Sequence, residues 1–460
     1  MTMSKILSIA GITIRTAIRS RVVVTLLALL VLVIVGLPLT VQGDGTLSGH
    51  VQIVLNYTLS LAGLLLAVVT IWIGCAAVSM EIQQRQIHLV VTKPVYARDI
   101  WLGKWLGIVL MDALLVCFAG AITLGLLYWT TRPAKLTVEE SQRLREEILV
   151  ARREILPEPL DLRDEARTLL NERRRQGVVP ADITPEDALD TLQHSLLIRA
   201  HSIPSGFKRG WTFRLPRKPS PEHPLFLEYH FSSSDQSRNP IAGVWMAGPA
   251  ANDMVFDARK TATPGGVYSV QVPPSAVGSD GTLVIEYANV NPVPITVVFP
   301  LEDGIKLYLR EGSFMPNFGR ALLLQFSQLA FLAAVGLAAG TFFSMPVAAF
   351  TSVWIVLLVH ISGYLQSMAG KEVYFTNHGE AAGNPGLLDY FFHFVFRFLN
   401  VIVRPLEAPR YLEMLTGGEL ITWTLVLDNV LFRIVVYSGL LAAAGAWVLS
   451  RREIALPANN

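Results

Sequence analysis

Few residues in this chain are of a type and in a setting that could do chemistry, and most of them lie in apolar surroundings. Asp112 falls inside one long apolar run and Glu81 closes another. An ionisable side chain at membrane depth is costly, so it marks either a polar pathway or a hydrogen bond to a neighbouring helix. Asp112 is therefore a candidate translocation-pathway residue, with the interhelical hydrogen bond as the alternative. His223 and His230 sit beside Glu222 and Glu228 in a strand-like stretch. They offer metal ligands, but ordinary surface histidines on a sheet are the plainer reading. The phosphate-cradling sequence GxxxxGK[ST] does not occur, nor do HExxH, GxSxG or CxxC. No catalytic residue, metal or cofactor of the chain's own is assigned, and an enzyme is the least favoured class.

The elements that position these residues follow from composition. Hydrophobic residues make up 52% of the 460 and charged residues 16%, against about a quarter charged in a soluble domain. The mean hydropathy is +0.44, and several apolar runs reach the 18 or so residues needed to cross a bilayer. A net charge of +2 is too small for a nucleic-acid partner. Cys75 and Cys117 both lie in apolar runs and read as small packing residues; the polar segments contain no cysteine for a disulfide framework.

Residues 4–19 place Ile6, Ile9, Ile12 and Ile14 among Lys5, Arg15 and Arg19, the pattern of a helix lying on the inner leaflet. A first span is expected over 21–42; it is too long for a signal-peptide core and is read as uncleaved. Second and third spans follow at 51–79 and 101–129. Basic residues gather in the N-terminal segment and in 81–99, while 43–50 contains no Lys or Arg. The positive-inside rule makes the first two cytoplasmic and the last external. The segment after the third span is then external.

That segment, 131–319, changes character abruptly. Residues 135–205 are rich in interleaved Glu and Arg with apolar residues at helical spacing, which predicts a solvated helical stalk. Residues 208–311 contain short β-branched and aromatic runs separated by Pro, Gly, Asn and Asp, which predicts a β-sandwich. Trp211, Tyr229 and Trp245 are either core residues or a sugar-binding platform, with core the commoner role. Spans resume at 321–342, 345–365 and 425–449. The apolar stretch 391–403 is about 13 residues long and carries His393 and Arg397, so a re-entrant or interfacial helix within an external segment 366–428 is expected rather than a seventh span. Arg451 and Arg452 place the tail, 451–460, inside. The fold expected is thus an α-helical polytopic membrane protein of about six spans with an inserted extracytoplasmic α+β domain, both termini cytoplasmic, in the inner (plasma) membrane.

The segment 81–99 is the most informative. Pro94 ends a short amphipathic run, and Gly103 and Gly107, four apart, permit close helix approach in the third span. From these residues alone, a rigid cytoplasmic hairpin that receives force from a soluble partner and a basic loop resting on lipid headgroups are equally good readings. EIQQRQIHLVVTKPVYARDIWLGKWLG, however, closely resembles the signature of ABC-2-type transporter permeases: a Glu, a polar run, a hydrophobic helix, K-P-v-x-R, then l-G-K-x-x-G. Glu81, Lys93, Pro94, Arg98, Gly103, Lys104 and Gly107 occupy the pattern's positions. The N-terminal basic helix resembles the family's connecting helix, and LSRREIALP its usual C-terminal end. The resemblance covers 1–130 and 320–456, is specific in 81–107 and loose elsewhere.

The resemblance implies a six-span permease subunit, an exporter by family tendency. It pairs with a second permease subunit as a homo- or heterodimer and docks separate cytosolic ATPases that supply ATP and Mg. Residues 81–99 would hold the coupling helix, with Ile87, Leu89 and Val90 seated in the ATPase and Arg85 and Lys93 at the rim. The large insert departs from the simplest members, so a cargo cannot be carried over. The alternative is a membrane scaffold or mechanotransmission protein whose external domain binds an envelope partner.

Overall fold

The computed structural model describes residues 2–19, 21–40, 47–83, 96–132, 144–176, 185–235, 239–301, 303–360, 387–403 and 410–451. These form two units, 1–150 with 313–460 and 151–312.

In the first unit the N-terminal amphipathic pattern becomes helix α1 (Thr2–Arg19), with Ala10 and Ala17 on its buried side. Arg21 takes a left-handed backbone, φ 61°, which ends α1 as helices commonly end. The wholly apolar α2 (Val22–Thr40) then departs, with a 67° bend between the pair. Two long helices follow, α3 (Leu47–Gln83) and α4 (Ala97–Thr130). After the inserted unit come α7 (Phe314–Phe342), α8 (Met345–His360), α9 (Leu387–Val403) and the short α10 (Tyr411–Thr416). The last long element is α11 (Trp423–Val430), a π-helical stretch Leu431–Tyr437 and α12 (Ser438–Arg451), continuous in sequence. Among the described residues four helices are long and apolar enough to cross a membrane: Gly49–Ile82, Ala97–Thr130, Phe314–Phe342 and Trp423–Arg451. The chain thus has the helices of a membrane protein. α8 and α9, of 16 and 17 residues, are shorter apolar helices.

α7 is the central helix, and glycine lets α3 lie against it. A Cβ at Gly74 would sit 3.1 Å from the Gly336 Cα, and one at Gly340 would sit 2.4 Å from the Cys75 carbonyl oxygen. No side chain fits there, so the two backbones touch, the packing that membrane helices use in place of a hydrophobic driving force. At the start of α7, Asn317 donates to the Glu419 carbonyl (2.7 Å) and accepts from the Ile421 amide (2.8 Å). Arg320 donates to the Ile421 carbonyl at 2.9 Å and covers the Trp423 ring. These bonds fix the turn that feeds the last long helix.

The second unit is a sheet domain with a helical hairpin, α5 (Arg163–Arg175) and α6 (Pro185–Ala200), closed by Ala166, Leu170, Ala188 and Leu192. Its strands are β1 (Val150–Ile155), β2 (Ser202–Ile203), β3 (Lys208–Arg214), β4 (Leu225–His230), β5 (Ser232–Ser233), β6 (Ile241–Gly248), β7 (Phe256–Ala262), β8 (Val267–Val272), β9 (Thr282–Asn289), β10 (Val297–Val298) and β11 (Ile305–Ser313). Two four-stranded sheets, β1-β11-β4-β8 and β3-β9-β6-β7, share one core, and β2-β10-β5 forms a third, small sheet. Alternation decides which side chains go in: β6 buries Ile241, Gly243, Trp245 and Ala247. Its register on β9 sets Trp245 opposite Tyr287, with ring centroids 4.9 Å apart. Trp211, Tyr229 and Trp245 are all core residues here.

One element departs from the charge pattern. Helix was expected throughout 135–205, yet 150–155 is strand β1, hydrogen-bonded beside β11. Its arginines, which in sequence continue a run of interleaved Glu and Arg, serve cross-strand contacts instead. Arg153 pairs with Glu311 at 2.9 Å, and Arg152 lies over the Tyr308 ring at 4.6 Å. Of the rest of that segment, 135–143 and 177–184 lie outside the described residues.

Candidate functional site: the end of α3 and the start of α4

The sequence candidates cluster where α3 ends and α4 begins. Arg85, Ile87, Leu89, Val90, Lys93 and Pro94 lie outside the described residues; Glu81, Arg98, Gly103, Lys104, Gly107 and Asp112 lie within them. α4 starts at Ala97, with Tyr96 as an extended N-cap residue. Lys104 is two turns into the helix and its ammonium is buried, 7% exposed as a side chain. It donates to the Ala77 carbonyl at 2.7 Å and to Glu81 Oε1 at 2.5 Å. A buried ammonium needs such partners, because desolvation would otherwise outweigh any packing gain. The bonds join the last turns of α3 to the first turns of α4, so the two helix ends that flank 84–95 are held together.

The glycines do what their spacing predicted, and the partner helix is α1. A Cβ at Gly103 would lie 2.7 Å from the Ile9 Cβ, and one at Gly107 would lie 2.8 Å from the Ala10 carbonyl oxygen. The N-terminal amphipathic helix is therefore seated directly on α4. Next to these contacts Trp105 donates to the Ala330 carbonyl of α7 at 2.9 Å. Trp101 is buried against α12, where a Cβ at Gly445 would collide with its indole. Within about two turns, α4 thus touches α1, α3, α7 and α12.

Arg98 is exposed, lies over the Tyr96 ring at 5.0 Å, and has its Nε 3.6 Å from the buried Asp99 carboxylate. Among the described residues it makes no ion pair or hydrogen bond to another helix. Asp112, eight residues beyond Lys104 and so on a similar face, accepts a hydrogen bond from Thr70 of α3 at 2.8 Å. It is 1% exposed, and its second oxygen, Oδ2, has no hydrogen-bond partner among the described residues. The geometry gives Asp112 the interhelical bond that the sequence offered as one of two roles. The other candidate ligands diverge. His223 meets Arg310 at 3.4 Å, His230 faces Asp303 at 3.5 Å, and no group of three His, Cys, Asp or Glu side chains that could hold a metal occurs among the described residues.

Two features escaped the sequence reading. The Gly336–Gly340 pair in VGLAAGT is a small-xxx-small motif that the i, i+4 spacing could have flagged. The other is Arg433, buried at 2% exposure in the π-helical stretch, where the i+5 bond from Ser438 Oγ to its carbonyl (2.8 Å) fits the wide turn.

Compared with protein-family models, with curated proteins and with solved structures, the chain finds no match in any of the three.

Proposed function

We propose that this chain is the membrane-spanning subunit of an ABC-2-type exporter, driven by a separate ATPase through residues 81–99. The observation that supports the reading is the pinned pair of helix ends on either side of 84–95. The Lys104–Glu81–Ala77 contacts clamp these ends, while α4 above them is packed on four other helices. A push on such a pair moves helices as bodies instead of being absorbed in a loop. The proposal counts six spans by adding α2 and the segment 345–365 that begins with α8, neither of which contains Asp, Glu, Lys or Arg, to the four long helices, and places both termini on the cytoplasmic side of a cell membrane.

The mechanism follows from linkage. The ATPase must bind the two states of the permease with different affinity, or its cycle shifts nothing. ATP and Mg are held by that partner. This chain contributes the segment 81–99 that receives the motion and the α3–α4–α7 assembly that carries it. Asp112 and Thr70 supply a polar bond that ties α3 to α4 inside the bundle. The last long helix leaves Leu427, Leu431, Val435 and Leu440 exposed, a face suited to lipid or to the second permease subunit. The sandwich keeps a second reading in view, in which ATP powers mechanical work on an envelope partner and nothing is exported.

Purification of the tagged full chain in a gentle detergent tests the first reading. A stoichiometric soluble subunit with a Walker A sequence and ATP hydrolysis in the eluate is expected. Repeated purification with no ATPase present would overturn it.

A further inference from the structure

The loop from β3 to β4 reads Pro216-Arg-Lys-Pro-Ser-Pro-Glu-His-Pro224, with a proline at four of its nine positions. Each proline fixes its own φ and restricts the residue before it, so the loop loses little further freedom when a ligand binds. A turn closes it, the His223 amide donating to the Ser220 carbonyl at 3.2 Å with Pro221 at the position turns favour. This stiff loop and β11 line a cavity of about 460 Å³ within the sheet domain, a size in the range of small-molecule sites.

The charge in that cavity is one-sided. Arg217 and Lys218 come from the loop and Arg310 from β11. None of the three has a carboxylate within 4.0 Å among the described residues. The one acidic side chain in the lining, Glu311, is already matched by Arg153 at 2.9 Å. Three cations are therefore uncompensated in one concavity. Two of them are also held in place. Arg217 donates to the Arg310 carbonyl at 3.2 Å, and an Arg310 guanidinium nitrogen is 3.4 Å from His223 Nδ1. Like charges so placed repel, and a structure that fixes them together is built to be relieved by an anion.

We infer that this pocket binds a phosphate-bearing ligand, its phosphoryl oxygens held by Arg217, Lys218 and Arg310 with the Ser220 hydroxyl as a further donor. A carboxylate brings one charge and two oxygens, which leaves most of the site unmatched. A phosphate brings three oxygens and up to two charges, which suits two guanidinium forks and an ammonium. The cavity has room for the group esterified to it. The phosphate could be part of a lipid headgroup or of a soluble phosphorylated compound, and the two are separable by experiment. The assignment stands independently of the transport proposal.

The full chain is placed in nanodiscs of zwitterionic phosphatidylcholine and titrated with inorganic phosphate and with glycerol 3-phosphate by calorimetry. In a second arm, nanodiscs that also contain phosphatidylglycerol are analysed by native mass spectrometry for retained anionic lipid. Each arm is repeated with Arg310→Gln and with the doubly substituted Arg217→Gln, Lys218→Gln chain, whose changes lie on exposed side chains. Binding in the first arm alone identifies a soluble phosphate compound, and retention in the second identifies a headgroup. In either case both variants are expected to bind about tenfold more weakly or worse, the loss of one charge-assisted contact, with thermal unfolding unchanged in the double variant. No binding of any probe up to about 1 mM, or binding unaltered in the double variant, overturns the assignment.

Discussion

Replacing Lys104 with Met removes the clamp between the end of α3 and the start of α4 while nearly conserving volume. The buried ammonium makes two hydrogen bonds, 2.7 Å to the Ala77 carbonyl and 2.5 Å to Glu81 Oε1. Bonds to a charged group contribute about 1.5–3 kcal/mol each. The Glu81 side chain is 33% exposed and rehydrates once abandoned, which puts the total near the lower end, about 3 kcal/mol. Glu81→Gln keeps an acceptor for Lys104 and leaves the Ala77 bond intact, so about 1 kcal/mol is expected. The doubly substituted chain has no unpaired carboxylate, so its loss falls short of the sum by about 1 kcal/mol. Denaturant unfolding of the purified chain in detergent, run on all four proteins, measures this. Wild-type stability for Lys104→Met, or additivity within about 0.3 kcal/mol, would refute the clamp.

Two further outcomes follow from packing and burial. Gly340→Ala sets a methyl 2.4 Å from the Cys75 carbonyl oxygen, a backbone collision expected to cost about 1–3 kcal/mol. Gly125→Ala, with nothing within 4 Å, is the neutral control, and equal unfolding midpoints for the two would remove the seam between α3 and α7. In the sheet domain, burial first and the Arg209 charge second hold the His201 pKa below its ordinary value. The unfolded chain therefore binds the proton more readily, and stability is fully present above the ordinary histidine pKa, about 6.5, and lost as pH falls below it. His201→Asn is expected to flatten the decline in thermal stability between pH 7 and 5; an unchanged slope would assign that decline to other groups.

The long apolar helices were legible in the sequence because twenty apolar residues in a row have few alternatives in water. The sandwich strands were legible because alternation and proline punctuation act locally. The use of Gly103 and Gly107 could be foreseen, but the identity of their partner could not, since small residues announce close approach without saying to what. β1 was hidden for the opposite reason. Arg152, Arg153 and Glu154 continue the charged, helix-prone run that precedes them, and only Glu311, Tyr308 and Lys306, more than 150 residues away in the sequence, give them cross-strand partners. Lys104, matched in the sequence only as one letter of a signature, owes its role to a carbonyl on another helix that no pattern of side chains encodes.

The sheet domain begins and ends on neighbouring strands. β1 and β11 lie side by side in one sheet, and a Cβ at Gly312 would touch the Ala151 side chain at 3.6 Å. A module whose two ends meet at one point asks its host for a single interruption of the chain, not for a gap to bridge. Such a cassette can be gained, lost or exchanged by cutting and rejoining at adjacent positions. The helical unit and the sheet domain are thus free to change separately, and a helical host without the insert would need only a short turn in its place.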